Sequence, residues 1–286
     1  MEKILVTGAT GKVGSAVAEV LVGRGIDVRA ATRKTTRIKW TDRLQPVVFD
    51  FNDPGLHRAA LDQVSGVFLI SPPLDPEAPA KLIPFIDKAR EKKVRHIVFL
   101  SALGADKNEG SPLRIIERHL KQSGLAYTIL RPNFFMENFS MGWAFPMIES
   151  GEVCVAAGDA KTSFISVSDI AETAAAAFQK KLYGTEYNLT GPEALTYGQA
   201  LEIISGVSGK TVTYRSIPEK EMLQGARKQG MREGSIQYLA QLFTMVRKGL
   251  MAKITDDVRK VIGRAPISFE QFARRNSYIW GGRKAA

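Results

Sequence analysis

A glycine-rich turn near the start of the chain constrains the fold more than any other feature. Residues 3–7 form an apolar run short enough to be a buried β-strand, and residues 15–22 have the pattern of a helix. Gly8, Gly11 and Gly14 lie between them. In such a strand, turn and helix, the first glycine permits a tight reversal and the second lets the backbone approach a pyrophosphate. The third lets the helix pack close to the sheet.

This turn predicts a bound dinucleotide, NAD(P). The amides and the positive dipole end at a helix N-terminus attract phosphates. The spacing G-x-x-G-x-x-G is one residue longer than the commonest fingerprint, so the alternative that these are only turn glycines stays open. We expect the phosphates to contact the turn residues Gly8, Thr10, Gly11, Lys12, Val13 and Gly14.

Strands and helices alternate after the turn, as a parallel sheet requires. The predicted strands 2 to 6 cover residues 27–32, 46–50, 66–70, 95–100 and 126–130. Beyond about Phe134 the pattern changes to separate helices (168–180, 196–205, 220–228 and 235–248) with short strands at 186–189 and 211–215. We therefore predict an α/β fold, a Rossmann-type doubly wound parallel sheet with a smaller C-terminal α+β subdomain. The NAD(P)-binding core covers 1–133, and 134–286 is mainly the substrate subdomain.

Composition and charge argue against a membrane or a nucleic acid as the partner of this protein. The hydrophobic content of 44% in 286 residues is ample for a core. No stretch approaches the roughly 18 apolar residues of a membrane span, and no signal peptide precedes the first strand, so we expect a cytoplasmic protein without a membrane partner. The net charge of +11 is spread over short scattered groups without a recognition motif. A solvated basic surface is therefore expected rather than a nucleic-acid site, and the oligomeric state is left open.

Cysteine and histidine offer no metal site. Cys154 lies among apolar residues and is predicted to be a buried thiol without a catalytic role. His57 is placed on a surface helix, His96 at the start of strand 5 and His119 on a charged helix. None belongs to a cluster with metal-ligand spacing, so we expect structural or solvated roles.

Three segments carry a family resemblance. Residues 7–11 with Gly14, residues 130–134 and residues 165–171 resemble the NmrA-like branch of the atypical short-chain dehydrogenases. Within that branch, residues 69–73, 134–139 and 189–196 are similar to the festuclavine (ergot alkaloid) dehydrogenases. Triphenylmethane reductase and NAD(P)H azoreductases are more distant relatives. The resemblance spans nearly the whole chain and is more specific for fold and cofactor than for substrate.

The resemblance also bears on catalysis. Dehydrogenases of the wider superfamily carry a Tyr-x-x-x-Lys pair after strand 5. Alignment through Glu117 and Arg131 puts this pair at Glu109 and Leu113, so both chemical groups are missing. Ser101 occupies the position of the catalytic serine, and we assign it to cofactor contact instead. In the relatives, the same absence implies reduction of already electrophilic substrates, for which positioning matters more than acid catalysis. No catalytic residue is assigned.

The residues after strand 2 predict the choice of dinucleotide. NAD-specific proteins place an acid about 20 residues past the glycines, whereas this chain has Arg33 and Lys34. The Arg33 guanidinium can pair with a 2′-phosphate through two hydrogen bonds, and Lys34 or Arg37 can add a point charge. NADPH is therefore the preferred cofactor, with NAD also accepted. The alternative is that these residues are plain surface cations.

Further cofactor contacts are expected where strands end. Asp50 ends strand 3 and is predicted to accept from the adenine amino group, with Phe51 covering the ring. The alternative role for Asp50 is to cap the following helix, although Asn52 and Asp53 lie closer to its start. The remaining predicted contacts follow strands 4 and 6 and are Ser71, Pro72 and Pro132.

The predicted substrate pocket follows strand 6. Pro132 prevents a regular ladder from continuing, so the chain leaves the sheet near the nicotinamide. The predicted substrate contacts are Asn133, Phe134, Phe135, Phe139 and Trp143. The alternative is that these side chains only pack a core.

Together these patterns predict an NAD(P)H-dependent reductase of a planar conjugated molecule of the iminium, quinone or azo type. The alternative is a non-catalytic NAD(P)-sensing regulator that acts through a protein partner.

Overall fold

The computed structural model describes residues 2–37 and 41–281. They group into two compact units. The first unit lies within Met1–Pro132, Val167–Asn188 and Lys260–Gly263, and the second within Asn133–Ser166, Leu189–Arg259 and Arg264–Ala286.

The strands and helices follow in chain order. The strands are β1 (Lys3–Val6), β2 (Asp27–Thr32), β3 (Leu44–Val48), β4 (Gly66–Ile70), β5 (His96–Leu100), β6 (Ala126–Pro132), β7 (Glu152–Val155), β8 (Thr185–Leu189) and β9 (Thr213–Ser216). The helices are α1 (Lys12–Gly23), α2 (Pro54–Ala60), α3 (Ala78–Glu91), α4 (Pro112–Gln122), α5 (Asn138–Met141), α6 (Phe145–Ser150), α7 (Val167–Gln179), α8 (Tyr197–Ser208), α9 (Glu219–Lys228), α10 (Glu233–Arg247), α11 (Asp257–Ile262) and α12 (Phe269–Arg275).

The first unit is a seven-stranded sheet with the order β3-β2-β1-β4-β5-β6-β8. The pairs from β3 through β6 are parallel, and Leu5 of β1 lies opposite Arg29 of β2 and Val67 of β4. The central strands β4 and β5 are mostly apolar and almost completely buried, as expected of strands covered on both faces. Helix α1 packs on α7, and α3 packs on α4. This arrangement confirms the predicted Rossmann-type sheet.

One strand lies elsewhere than expected. The strand predicted at residues 186–189 is β8, which joins the large sheet beside β6 rather than a C-terminal subdomain. Helix α7, which precedes it, packs on α1 within the same unit. Periodicity identifies a strand, but it carries no information about which sheet the strand completes.

The second unit has a parallel two-stranded sheet and an aromatic core. Strands β7 and β9 pair with Glu152 opposite Thr213. The rings of Phe139, Phe164 and Phe269 are buried and meet edge to face or tilted, at centroid distances of 5.2–5.6 Å. Helices α8 and α12 each begin with a capping box. The N-cap hydroxyl, of Thr196 or Ser268, accepts from the backbone amide three residues later, and the glutamine side chain at that position accepts from the N-cap amide.

Two predicted environments are wrong. His57 is buried rather than on the surface, with its ring 5.5 Å from Phe49 and 5.3 Å from Phe85. Burial lowers the pKa of His57, which favours the neutral ring. Cys154 is half-buried rather than buried, because it lies on β7 and its thiol donates to Glu152. Burial and this hydrogen bond raise the pKa of the Cys154 thiol, which disfavours a nucleophilic thiolate.

Candidate functional site

The turn between β1 and α1 is built on its glycines. Gly8 has φ of +61°, the left-handed conformation, and the Gly11 amide donates to the Gly8 carbonyl over 2.8 Å. A Cβ placed on Gly14 would lie 2.2 Å from the Gly8 carbonyl oxygen. Helix α1 therefore packs directly on the turn, and only glycine fits at the point of contact.

The N-terminus of α1 lacks any side-chain cap. Its N-cap is Gly11, which has no side chain to cap the helix, and the first turn contains no acidic residue. Val13 is buried, so only its backbone can face a ligand, whereas Thr10 is exposed and Lys12 half-buried. A helix start of this kind leaves its dipole end and amides for an anion.

An open groove of about 560 Å³ lies beside this turn in the first unit. Thr10 is the one predicted contact among its lining residues, which are Ala9, Thr10, Ser15, Ala18, Glu19, Ala30 and Leu44. The groove is apolar along most of its lining.

Thr7 ties the turn to the neighbouring strand. Its hydroxyl donates to the Phe68 carbonyl over 3.1 Å and accepts from the Ile70 amide over 2.9 Å. Sequence reasoning missed this role. A buried threonine directly before the first glycine is the only local feature that points to it.

Two cations follow β2. The Thr32 hydroxyl accepts from the Lys34 amide over 3.2 Å and thereby shapes the loop. Arg33 and Lys34 are exposed, and neither forms an ion pair with any residue that the structure describes. Arg43, by contrast, is bound to Asp27 and the Gly25 carbonyl. The loop therefore offers two uncommitted positive charges.

The residues after β3 have separate roles. Asp53, not Asp50, caps α2, accepting from the Gly55 amide over 3.0 Å. Asp50 accepts from the backbone and side chain of Asn52 over 2.9 and 3.0 Å, so the capping alternative for Asp50 is wrong. The half-buried Phe51 ring lies edge-on to Phe49 and Phe85 at 4.8 and 5.6 Å. Contact of Asp50 and Phe51 with adenine stays a prediction.

The ends of β4, β5 and β6 hold the other predicted contacts of the first unit. Ser71 is half-buried and donates to the Pro72 carbonyl over 3.0 Å. Ser101 is buried and donates to Glu117 over 2.6 Å. The Pro132 carbonyl accepts from the Leu103 amide over 2.9 Å at the last residue of β6.

Behind Ser101 lies a charge network that the sequence did not reveal. Glu117 of α4 binds Arg131 of β6, which also binds Glu186 of β8. Lys121 pairs with Glu186 as well. Although burial opposes charge on the guanidinium, these carboxylates raise the pKa of Arg131 above its ordinary value. Burial likewise opposes ionisation of Glu186, but the bonds from Lys121 and Arg131 lower its pKa overall.

The two positions aligned with the Tyr-Lys pair have other contacts. Glu109 precedes α4 and forms ion pairs with Arg114 and Arg118. Leu113 packs, partly buried, against the core of the first unit.

In the second unit, two predicted substrate contacts are used inside the protein. The buried Asn133 side chain donates to the Ser163 hydroxyl and the Met251 carbonyl, both over 2.8 Å, and accepts from the Phe134 amide. Phe139 is fully buried in the aromatic core. Both polar atoms of the Asn133 side chain have partners inside the protein, and Phe139 has no accessible surface. Both residues therefore have the packing role of the alternative interpretation.

The other three predicted contacts keep accessible surface. Phe134 and Phe135 are half-buried, and Trp143 is 41% exposed. Phe243 of α10 lies 6.1 Å from the Phe134 ring and 6.3 Å from that of Trp143. We call Phe134, Trp143, Tyr197 and Phe243 the aromatic cluster. Planar apolar molecules stack favourably on rings of this kind.

Residues 2–37 and 41–281 lack two features that would change the interpretation of the site. They contain no group of three or more His, Cys, Asp or Glu side chains placed to hold a metal ion. They also contain no helix long and apolar enough to span a bilayer.

Comparison with known proteins gives consistent results. The sequence profile of the NmrA-like family matches residues 1–272. The chain is 36% identical to prestalk A differentiation protein A of Dictyostelium discoideum, over 95% of this chain and 91% of that one. It is 33% identical to agroclavine dehydrogenase of Claviceps fusiformis, over 97% of this chain and 98% of that one. The solved structure of an NADPH-dependent quinone oxidoreductase of Escherichia coli contains bound NADPH. It superposes on this chain with a TM-score of 0.82 and is 26% identical in sequence, over 94% of this chain and 98% of that one.

Proposed function

The chain belongs to the NmrA-like family, and from this premise we propose that it is an NADPH-dependent reductase of planar, conjugated small molecules. Membership confirms the resemblance predicted from residues 7–14, 130–134 and 165–171. The predicted oxidoreductase class and NAD(P) cofactor are also confirmed, because the relatives are named as dehydrogenases and NADPH-dependent oxidoreductases.

The observation that carries the proposal is the uncapped start of α1 on its glycine turn, followed by two unpaired cations after β2. The amides of residues 12–14 suit a pyrophosphate, and Arg33 with Lys34 suits a 2′-phosphate. Asp50, Phe51, Ser71, Pro72, Ser101 and Pro132 complete the proposed cofactor contacts. NADPH, when bound, supplies the hydride.

The substrate class follows from what lines the proposed pocket and from what the chain lacks. Phe134, Phe135 and Trp143 offer aromatic surface for a flat molecule. Glu109 and Leu113 stand where the superfamily carries its tyrosine and lysine, so no such acid is available. An iminium, quinone or azo compound is already electrophilic, and its reduction depends mainly on the position of the hydride donor.

A screen of NADPH oxidation tests this proposal. Quinones, azo dyes, triphenylmethane dyes and cyclic imines are offered, and turnover of at least one class is expected. For that substrate, Phe135→Ala should raise KM about thirtyfold, since a buried aromatic contact is worth on the order of 2 kcal/mol. Tyr278→Ala removes an exposed ring outside the cluster and should leave KM unchanged. Tight NADPH binding without turnover of any class would favour the regulator that acts through a protein partner.

A further inference from the structure

Among the described residues of the second unit, three buried hydroxyls have no hydrogen-bond partner, and one of them, that of Tyr197, belongs to the aromatic cluster. Tyr197, the first residue of α8, is fully buried, and its Oη forms no hydrogen bond with any described residue. Buried polar atoms are nearly always hydrogen-bonded, so an unpaired one needs an explanation. The hydroxyls of Ser140 and Thr162 are also buried without a partner, but neither residue belongs to the aromatic cluster.

The Tyr197 ring lies directly beneath accessible aromatic surface. Its centroid is 6.2 Å from Trp143, which is 41% exposed, and 6.4 Å from the nearly parallel ring of Phe243. Trp143 follows the short helix α5 and precedes α6, so its indole belongs to a turn rather than to a helix. Because the Trp143 indole is partly exposed and lies beside the Tyr197 ring, its displacement would expose part of that ring.

A neighbouring tyrosine provides a contrast. Tyr214 stacks on Tyr197 at 6.1 Å, and its hydroxyl donates to the Gly158 carbonyl over 2.9 Å. Of these two adjacent phenols, that of Tyr214 is hydrogen-bonded, whereas that of Tyr197 has no acceptor among the described residues. The missing partner of Tyr197 is a hydrogen-bond acceptor, and a ligand inserted into the cluster can supply it.

Building on the function proposed above, we propose that the Tyr197 hydroxyl donates a hydrogen bond to an acceptor atom of the planar substrate, which enters by displacing the Trp143 indole. A hydrogen bond from Tyr197 would discriminate among the iminium, quinone and azo compounds proposed as substrates. A quinone oxygen or an azo nitrogen has a lone pair to accept the bond, whereas an N-alkyl iminium has none. Tyr197 therefore makes the pocket specific for acceptor-bearing quinones and azo compounds.

The role of Tyr197 is binding rather than proton delivery. Burial raises the pKa of the Tyr197 phenol far above its ordinary value, so the group remains a neutral donor throughout the range of an assay. The aromatic faces of Trp143 and Phe243 attract a cationic iminium as readily as a neutral ring. Discrimination between the two therefore rests on the hydroxyl.

The test compares Tyr197→Phe with Tyr214→Phe. Binding of 1,4-naphthoquinone and of N-methyl-3,4-dihydroisoquinolinium to the NADP⁺-saturated protein is measured by titration calorimetry, where no turnover occurs. Tyr197→Phe should weaken naphthoquinone binding about tenfold, the loss expected for one hydrogen bond, and leave the iminium within about twofold. Tyr214→Phe should leave the ratio of the two affinities unchanged.

Several outcomes would overturn the inference. One is that Tyr197→Phe weakens the binding of both ligands equally, and another is that it changes neither affinity. A third is that the wild-type protein does not bind naphthoquinone. A clear fall in the melting temperature of unliganded Tyr197→Phe would also overturn it, because it would reveal a partner within the protein. Acceptor-dependent binding without turnover would support the inference while contradicting the proposed reductase, so the two failures are distinguishable.

Discussion

Arg131 and Glu117 form a buried two-bond ion pair, with Nε 2.8 Å from Oε1 and Nη2 2.7 Å from Oε2. The carboxylate is fully buried and the guanidinium nearly so. The same Oε1 accepts from the Ser101 hydroxyl over 2.6 Å. One side chain of α4 therefore holds the ends of β5 and β6, where the sheet presents its carboxyl edge.

Glu117→Gln should lower the free energy of unfolding at pH 7 by about 3 kcal/mol, because it leaves the buried Arg131 charge only partly compensated. Urea unfolding measures the loss. Glu109→Gln breaks ion pairs of an exposed carboxylate and should cost less than about 1 kcal/mol. Equal losses in the two variants would show that burial of the pair does not matter.

The contribution of Glu186 should depend on pH. Burial alone would favour its neutral form, but Lys121 and Arg131 lower its pKa below the ordinary 4.5. The stabilisation is therefore fully present above about pH 4.5 and is lost as the pH falls through the lowered value. Unfolding of wild-type protein and Glu186→Gln at stepped pH should show a gap at pH 7 that closes in acid. A gap independent of pH would contradict this.

Arg33→Ala should remove most of the preference for NADPH over NADH. A charge-assisted contact to phosphate is worth about 2 kcal/mol, so NADPH affinity should fall about thirtyfold while NADH affinity is nearly unchanged. Dissociation constants for both cofactors measure this. Arg43→Ala deletes a cation already bound to Asp27 and is the control. Retention of the preference in Arg33→Ala would place the 2′-phosphate elsewhere.

Gly14→Ala should abolish NADPH binding and destabilise the protein, because the new Cβ would meet the Gly8 carbonyl oxygen at 2.2 Å. Gly23→Ala, at the other end of α1, meets no atom within 4 Å. Gly23→Ala should leave the free energy of unfolding unchanged or raise it by up to about 1 kcal/mol, because alanine has a higher helix propensity than glycine. Calorimetry of NADPH binding and thermal unfolding compare the two, and normal binding by Gly14→Ala would refute the close packing of helix and turn.

Asp50→Ala and Asp53→Ala should separate binding from capping. Loss of the α2 cap in Asp53→Ala should cost about 1 kcal/mol of stability and leave NADPH affinity unchanged. Asp50→Ala should weaken NADPH binding through the adenine. If Asp50→Ala changes stability alone, its only role is to hold Asn52.

Local patterns were sufficient for much of the fold. Helix α4 begins at Pro112, a residue that suits a first helical turn. The strand at residues 66–70 is as predicted, since four apolar residues after a glycine suit a buried strand. The reversal at Gly8 follows from three glycines in seven residues. Each of these features depends on neighbours in the chain.

The sequence by itself determined the glycine turn, the alternation of strands and helices, and the cations after β2. Only the tertiary structure decided that β8 completes the large sheet, that Arg131 meets a carboxylate 55 residues away, and that Tyr197 lies under Trp143. The physical reason is that periodicity records which face of an element is buried, not which partner covers it. Partners distant in the chain are chosen by packing and charge compensation, which arise only when the chain is folded.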